Sequence, residues 1–321
     1  MSLRFVFCLG LTGILAGFGS FSAEPLRAKP GQSILESVGK TPEAERLKQL
    51  FGAYWKYSME EAPEVGTYVG YAGLNDRWSD LSLSAIQRRK EDIHLWLRAL
   101  ESIDRAKLGL GDRLNYDLFR KEILLEIEGQ KFPAELMPIN QMGGVQQDVA
   151  QTISVMPLEK EKDYRDVLER IRTAPKLIEQ NIALLRLGAA QRVTPPRTIL
   201  RDVPEQIQNQ IIDDLPRNPV YAPFTNIPPN LPATLRTSLT NEAAGAVREH
   251  LLPAWRKLND FFSTEYLPHT RESIGAADLP NGKAWYAFNA RRYTTTDLSP
   301  AQIHQIGLSE VTRIRAEMDL V

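Results

Sequence analysis

The sequence has 321 residues, of which 43% are hydrophobic and 25% are charged, so it is long and apolar enough to bury a sizeable core and lacks the composition of a disordered chain. Its 39 basic residues nearly balance 40 acidic residues, which gives a formal net charge of -1. Because this balance provides no basic stripe for phosphates, we expect no nucleic-acid partner.

The first residues follow the pattern of a secretory signal peptide. Arg4 precedes an apolar run over residues 5–18, which is shorter than the roughly 20 residues of a membrane-spanning helix. Small residues follow, and they favour cleavage after Ser22. The sequence therefore predicts a signal peptide over residues 1–22 and an exported domain, periplasmic or extracellular and without a membrane span, over residues 23–321. An uncleaved anchor is the alternative.

Cysteine is confined to the predicted signal peptide, where Cys8 is the single example in the sequence. The exported domain would therefore form no disulfide and would depend on the size of its core, which about 300 residues can supply.

The first half of the exported domain has mostly helical periodicity. Helices are predicted where apolar residues recur every three to four positions, at residues 47–62, 84–100 and 112–128. A glycine- and aspartate-rich loop over residues 66–80 separates the first two. Residues 129–157 contain prolines, a Gly-Gly pair and amides in place of an apolar stripe, and this predicts an irregular segment.

Longer helices are predicted in the second half. One begins near Leu158, bends at Pro175 and stops at Gly188, and the next runs over about residues 194–212. Six prolines then predict a surface loop between residues 215 and 232.

Three further helices complete the predicted order, at residues 235–266, 285–291 and from 299 onwards. The last has a well-specified start, because Ser299 can cap it, Pro300 suits its first position and Gln302 can reach back to the cap. Its apolar positions are Ile303, Ile306, Val311, Ile314 and Met318. With hardly any alternating strand pattern, the fold class is all-α: a large irregular helical domain with long helices and proline-rich loops.

Motifs for catalysis are scarce. The four histidines, at positions 94, 250, 269 and 304, are neither followed by glutamate nor paired at three to five residues, so no metal site and no catalytic residue is assigned to this chain. Two polar clusters are candidates for lining a cleft that recognises peptides or carboxylates. Their residues are Asn140, Gln141, Arg291, Arg292 and Tyr293. The alternative is that the amides cap loops and the arginines interact with a helix C-terminus.

Several blocks of the sequence resemble one bacterial family. The string "YTTTDLSPAQIHQIGLSEVTRIRAEM" is the most specific, and "DRWSDLS", "MPINQMGG" and "LPNGKAWYAFNARRYTTTDLSP" occur in the same order. They are similar to blocks of the domain-of-unknown-function 885 family, large exported or lipid-anchored helical proteins related to zinc metallopeptidases of the gluzincin type. The resemblance covers nearly all of the exported domain and implies a peptide-like substrate, with zinc as the cofactor of the complete protein.

The zinc signature implied by the resemblance is missing from this sequence. It consists of a His-Glu pair, a later Pro-Gly-His and a further glutamate, and neither the His-Glu nor the Pro-Gly-His string occurs here. One hypothesis is that the chain is the N-terminal portion of a longer metallopeptidase-like fold, inactive by itself. The other is a non-catalytic exported binding or interaction protein. In both cases we expect the apolar side of the last helix to favour self-association.

Overall fold

The structure of the protein is a computed structural model that describes residues 29–320, so the predicted signal peptide lies outside it. Helices make up nearly all of the regular structure in this range. β-Pairing there is limited to two isolated bridges, between Asn140 and Gly143 and between Pro196 and Arg271. The predicted all-α class is confirmed. Within the same range, no helix combines the length and hydropathy needed to cross a bilayer.

The α-helices follow one another with short 3-10 turns between them. They are α1 (Gln32–Glu36), α2 (Glu43–Glu61), α3 (Pro63–Tyr68), α4 (Leu83–Glu101), α5 (Leu110–Gly129), α6 (Val145–Ser154), α7 (Glu161–Gln191), α8 (Val203–Gln208), α9 (Ala233–Ala246), α10 (Leu252–Phe261), α11 (Gly282–Thr294) and α12 (Pro300–Met318). Helices α1, α2, α4 and α5 enclose one apolar cluster. A larger cluster surrounds α7 and is closed by α6, α8, α9 and α10.

The segment predicted to be irregular, residues 129–157, contains helix α6. This prediction was wrong because α6 has only ten residues, so its apolar stripe is short. The helix also begins directly after a Gly-Gly pair, which favours a loop in the sequence pattern. Val145, Val149 and Ile153 recur at helical spacing and are buried against the core around α7.

Helix α7 is continuous from Glu161 to Gln191, with Pro175 inside it, and it does not stop at Gly188. Gly188 is instead a point of close approach. A Cβ atom at this position would lie 2.6 Å from the carbonyl oxygen of Leu136 and 2.8 Å from that of Val193. The left-handed residue that ends the helix is Arg192, with φ 60°.

The helix predicted over residues 194–212 is divided into a 3-10 turn (Arg197–Leu200) and α8. The division arises because Pro196 is extended and the N–H of Arg197 donates to the carbonyl oxygen of Arg271 at 2.7 Å. This backbone hydrogen bond to a distant segment keeps the chain extended at Pro196, so regular helix begins only after it.

The predicted helix over residues 235–266 is confirmed, with two wide turns in it. π-Helical segments at Val247–Leu251 and Phe262–Tyr266 follow α9 and α10. Each comes just before a proline, at Pro253 and Pro268. A proline lacks the N–H and crowds the carbonyl four residues earlier, and a wider turn relieves both problems.

The last two helices differ in how they are held. Helix α11 begins at Gly282, where a Cβ atom would lie 2.1 Å from the carbonyl oxygen of Ala276, so its first turn presses directly on the preceding loop. Helix α12 has the predicted capping box: Ser299 Oγ accepts from the Gln302 N–H at 3.3 Å, and Gln302 Oε1 accepts from the Ser299 N–H at 2.8 Å. No residue of α12 is buried in the described structure.

A buried guanidinium joins α7 to the chain that precedes α4. Arg170 is fully buried, and its Nε donates to the carbonyl oxygen of Arg77 at 3.0 Å while Nη2 donates to Thr67 Oγ1 at 2.8 Å. Its guanidinium also lies over the Trp78 ring, 4.9 Å from the centroid. Burial lowers the pKa of Arg170 to about 10, and Glu64 opposes this shift.

Removing the buried guanidinium should destabilise the fold far more than removing an exposed one from the same helix. We expect Arg170→Ala to lower the free energy of unfolding by about 3 kcal/mol, because buried oxygen acceptors lose their donor. The matched control is Arg172→Ala, which removes a half-exposed ion pair with Glu242 and should cost less than about 1 kcal/mol. Urea denaturation measures both, and equal losses would contradict the anchoring role of Arg170.

Two glycine-to-alanine substitutions should have opposite effects. Gly188→Ala places a methyl group against two carbonyl oxygens and is expected to cost about 2 kcal/mol. Gly245→Ala, in the interior of α9, meets nothing closer than 3.9 Å and should stabilise by roughly 0.5 kcal/mol or more through helix propensity. Thermal unfolding of the two variants tests this, and a stable Gly188→Ala protein would show that the contact relaxes easily.

Candidate functional site

An open cleft of about 450 Å³ lies between α4, α5 and α11, and we call it the α11 cleft. Its floor consists of apolar side chains from six separate positions: Leu81, Ile86, Phe132, Leu184, Trp285 and Phe288. The rings of Phe132 and Trp285 stack with centroids 5.6 Å apart. Below them Gly129 lets α5 and α11 approach closely, since a Cβ there would lie 3.2 Å from the Phe288 ring. The floor is thus a packed aromatic surface.

Charged side chains line the rim of the α11 cleft. Lys90 and Glu135 neutralise one another, with Nζ and Oε1 2.5 Å apart, and Arg89 donates to the carbonyl oxygen of Asp80 at 2.8 Å. Arg292 is exposed and makes no hydrogen bond or ion pair with any other residue of the described chain. Its guanidinium fork therefore remains available to a ligand that enters the cleft.

Glu126, also at the rim, has a perturbed carboxyl group. Its side chain keeps contact with solvent, but the cleft walls remove part of its hydration, and this desolvation raises the pKa of Glu126 above its ordinary value. The positive charge of Arg292 acts in the opposite direction and only partly offsets it. Glu126 and Arg292 are thus opposite charges at the rim of the same cleft.

The residues predicted at the end of α11 are divided between different environments. Arg292 lines the α11 cleft. Arg291 pairs with Glu128, with Nη2 and Oε1 2.5 Å apart, and lies over the Phe288 ring. Tyr293 is 82% exposed. Only one of the three side chains therefore lies at a cavity.

The predicted amides belong to the turn that precedes α6. Asn140 Oδ1 accepts from the N–H of Met142 at 2.8 Å. The carbonyl oxygen of Gln141 accepts from Gln147 Nε2 at 3.2 Å and from Gln206 Nε2 at 3.1 Å. These bonds hold the turn, so the structure does not gather the five predicted residues into one pocket, and their ligand-binding role stays a prediction.

A second hollow of about 310 Å³ adjoins the α11 cleft, and we call it the α3–α6 hollow. Leu81 and Pro138 line both spaces, so they form the boundary between them. Its walls come from α3, α6, α7 and the segment before α4: Glu64, Val65, Tyr68, Trp78, Ser79, Val145, Asp148, Thr152, Leu177 and Asn181.

Two carboxylates lie at the α3–α6 hollow. Both oxygens of Glu64 are held by Ser79, whose N–H donates at 2.9 Å and whose Oγ donates at 2.6 Å. Desolvation raises the pKa of Asp148, and the negative charge of Glu64 adds to this effect. Sequence reasoning missed this group because its members are far apart in the chain and come together only through packing on α7.

The described residues do not provide a zinc site. His94, His250, His269 and His304 are all exposed, and they lie on four different elements. No group of three or more His, Cys, Asp or Glu side chains in residues 29–320 is arranged to hold a metal ion. The donors present therefore do not fit the zinc that the family resemblance implies.

Comparison with known proteins identifies relatives of the fold. A family model described as "Bacterial protein of unknown function (DUF885)" matches residues 63–321. A crystal structure of a candidate lipoprotein from Colwellia psychrerythraea is similar with a TM-score of 0.77 and 18% sequence identity, over 87% of this chain and 51% of that one. The chain thus spans about half the length of that protein, and at this identity the likeness concerns the fold alone. No curated protein matches the chain significantly.

The desolvated carboxyl of Glu126 should make stability depend on pH in a defined direction. A raised carboxyl pKa means that the ionised form costs folding free energy at neutral pH, and that this cost disappears as the group is protonated. Glu126→Gln should therefore be more stable than the parent chain at pH 7, and the gain should vanish as pH falls towards the ordinary value of 4.5.

Urea denaturation between pH 4 and pH 8 measures this difference. Glu122→Gln, an exposed position one turn earlier on α5, provides the matched control for loss of a charge. A Glu126→Gln protein that is less stable than the parent at pH 7 would contradict the expectation.

Proposed function

The chain belongs to the bacterial DUF885 family, and from that membership we propose that it forms the substrate-holding part of an exported zinc-dependent hydrolase of peptide-like substrates. The observation that carries the proposal is the α11 cleft, where the unpaired Arg292 stands at the rim of a packed apolar floor. Such a site suits a ligand that combines an apolar side chain with a carboxylate. The C-terminal end of a peptide has both.

The role of each wall follows from its chemistry. The aromatic rings of Trp285 and Phe288 bury an apolar side chain of the peptide, which contributes about 25 cal/mol for each Å² of apolar surface removed from water. Arg292 donates two parallel hydrogen bonds to the carboxylate, a geometry that lysine cannot provide. The fixed Lys90 and Glu135 pair beside it contributes no net charge.

Zinc enters the proposal only through residues outside this chain. In the family resemblance a bound zinc supplies an activated water for hydrolysis, but the donors of residues 29–320 do not fit the metal. In this proposal the metal ligands therefore lie outside residues 29–320. The similarity covers 51% of the Colwellia psychrerythraea chain, so a protein of this fold can contain a further segment of comparable length.

Export rests on two observations. The sequence of residues 1–22 has a basic start, an apolar run and a small-residue end. The similar protein from Colwellia psychrerythraea is itself described as a candidate lipoprotein, a class of protein attached to the cell envelope. We place the mature chain outside the cytoplasm on these grounds.

The mature chain, residues 23–321, should bind peptides without hydrolysing them. We expect zinc far below one ion per chain after dialysis, no peptide cleavage, and measurable binding of a tripeptide with a free carboxylate. Arg292→Gln should weaken that binding roughly tenfold, the loss of about one charge-assisted bidentate contact. The matched control is Arg291→Gln, which removes the neighbouring charge outside the cleft and should leave the affinity unchanged. Metal analysis and calorimetry provide the two measurements.

Failure of peptides to bind would overturn the proposal, and two further results would do the same. One is a stoichiometric zinc ion or peptide cleavage in the mature chain alone, which would place the metal ligands within this sequence. The other is unchanged binding in Arg292→Gln. A downstream reading frame that encodes a His-Glu and a Pro-Gly-His string would support the peptidase, whereas peptide binding without such a frame would favour a non-catalytic binding protein.

A further inference from the structure

Two nearly buried polar side chains have free oxygen atoms in the α3–α6 hollow. Asn181 is 2% exposed, and its Nδ2 donates to the carbonyl oxygen of Leu177 at 2.9 Å, while its Oδ1 accepts no hydrogen bond from any described residue. Thr152 is 1% exposed, and its hydroxyl has no partner among the described residues either. Both residues line the hollow. Neither oxygen is fully enclosed by protein, because both residues line the open hollow, so a donor group that enters the hollow can bind them in place of solvent.

Two carboxylates add further oxygen acceptors to the hollow. Glu64 is fixed by Ser79 and has lone pairs left for a further donor. Asp148 lies one helical turn before Thr152 on α6, so both face the same side of that helix. The hollow therefore combines two carboxylates with two neutral oxygen acceptors.

Charge around the hollow favours a cation. Glu64 and Asp148 are the charged side chains that line it. The buried Arg170 interacts with Glu64 electrostatically but does not line the space, and its Nε and Nη2 donate to Arg77 and Thr67 while Nη1 has no partner among the described residues. A cation that enters would also relieve the repulsion between Glu64 and Asp148 that helps to raise the pKa of Asp148.

We propose that the α3–α6 hollow is a binding site for a protonated amine, and that in the peptide-holding role proposed above, on which this inference rests, it takes the amino group of the peptide. An ammonium group has three N–H donors and no acceptor, which matches a hollow lined by oxygen acceptors. The groups that bind it are Glu64, Asp148, Thr152 and Asn181.

The neighbouring α11 cleft defines the orientation in which a peptide would bind. The two spaces meet at Leu81 and Pro138, and the α11 cleft provides the unpaired Arg292. A short peptide would place its amino group in the α3–α6 hollow and its carboxylate in the α11 cleft. The two apolar residues at the junction would contact the chain between them.

Three tripeptides test the site in calorimetric titrations of the mature chain, residues 23–321. The first has a free amino group and no lysine, the second is its N-acetylated form, and the third is an N-acetylated peptide that contains lysine. We expect acetylation to weaken binding at least tenfold. If the third peptide recovers the lost affinity, the amine comes from a lysine side chain, and if it does not, the amine is the peptide N-terminus. Either result supports a protonated-amine site.

Substitutions of residues that line the α3–α6 hollow test whether the amino group binds there. Thr152→Val keeps the shape of the side chain and removes the free oxygen, and Asp148→Asn removes one charge at constant size. Each substitution should weaken binding of the free-amine peptide at least fivefold and leave the affinity for the N-acetylated peptide unchanged. Asp297→Asn, at an exposed aspartate that lines neither space, is the matched control and should change nothing. Thermal unfolding of each variant confirms that it is folded.

The outcomes separate this site from the wider proposal. If the free-amine and N-acetylated peptides bind equally well and Arg292→Gln still weakens both, the amine site is wrong and the peptide-holding cleft stands. If Thr152→Val and Asp148→Asn bind the free-amine peptide as the parent chain does, the amine group binds elsewhere and the site is again wrong. If none of the three peptides binds, both proposals are wrong.

Discussion

The burial of Arg170 constrains the arrangement of the rest of the molecule. A guanidinium removed from water must find hydrogen-bond acceptors, and here they come from α3 and from the chain that follows it. That requirement draws the segment around Trp78 onto α7, where the Trp78 indole in turn donates to the carbonyl oxygen of Arg170 at 2.8 Å. The longest helix of the described chain is thereby joined to residues about 90 positions earlier.

Both cavities depend on that junction. Leu81 follows Trp78 on the anchored segment, and its N–H donates to Gln180 Oε1 at 2.9 Å, so one of the two residues at the boundary between the spaces is fixed to α7 as well. Asn181 and Leu184 lie on the same face of α7, about one turn apart, and line the hollow and the cleft respectively. The spacing of the two sites is therefore set by the pitch of one helix.

Sequence patterns predicted the parts of this structure that depend on local periodicity. The capped start at Ser299 and the long apolar stripes needed only neighbouring residues to be recognised. Gly188 was misread because its role depends on Leu136 and Val193, which reach it only through the fold. The candidate sites show the same contrast between local pattern and tertiary packing. Arg292 was predicted from the sequence and lies at a cavity, whereas no sequence motif marked Asp148 or Asn181.

Helix α11 begins against a loop with no room for any side chain at Gly282, and it presents Arg292 roughly 15 Å further along its axis. A rigid helix pivoted at one end converts a small displacement there into a larger one at the other. A bulkier residue in the loop beneath Gly282 would therefore move the Arg292 guanidinium without changing any side chain that lines the α11 cleft. The shape of the α11 cleft thus depends on a loop position that a comparison of cleft-lining residues alone would not include.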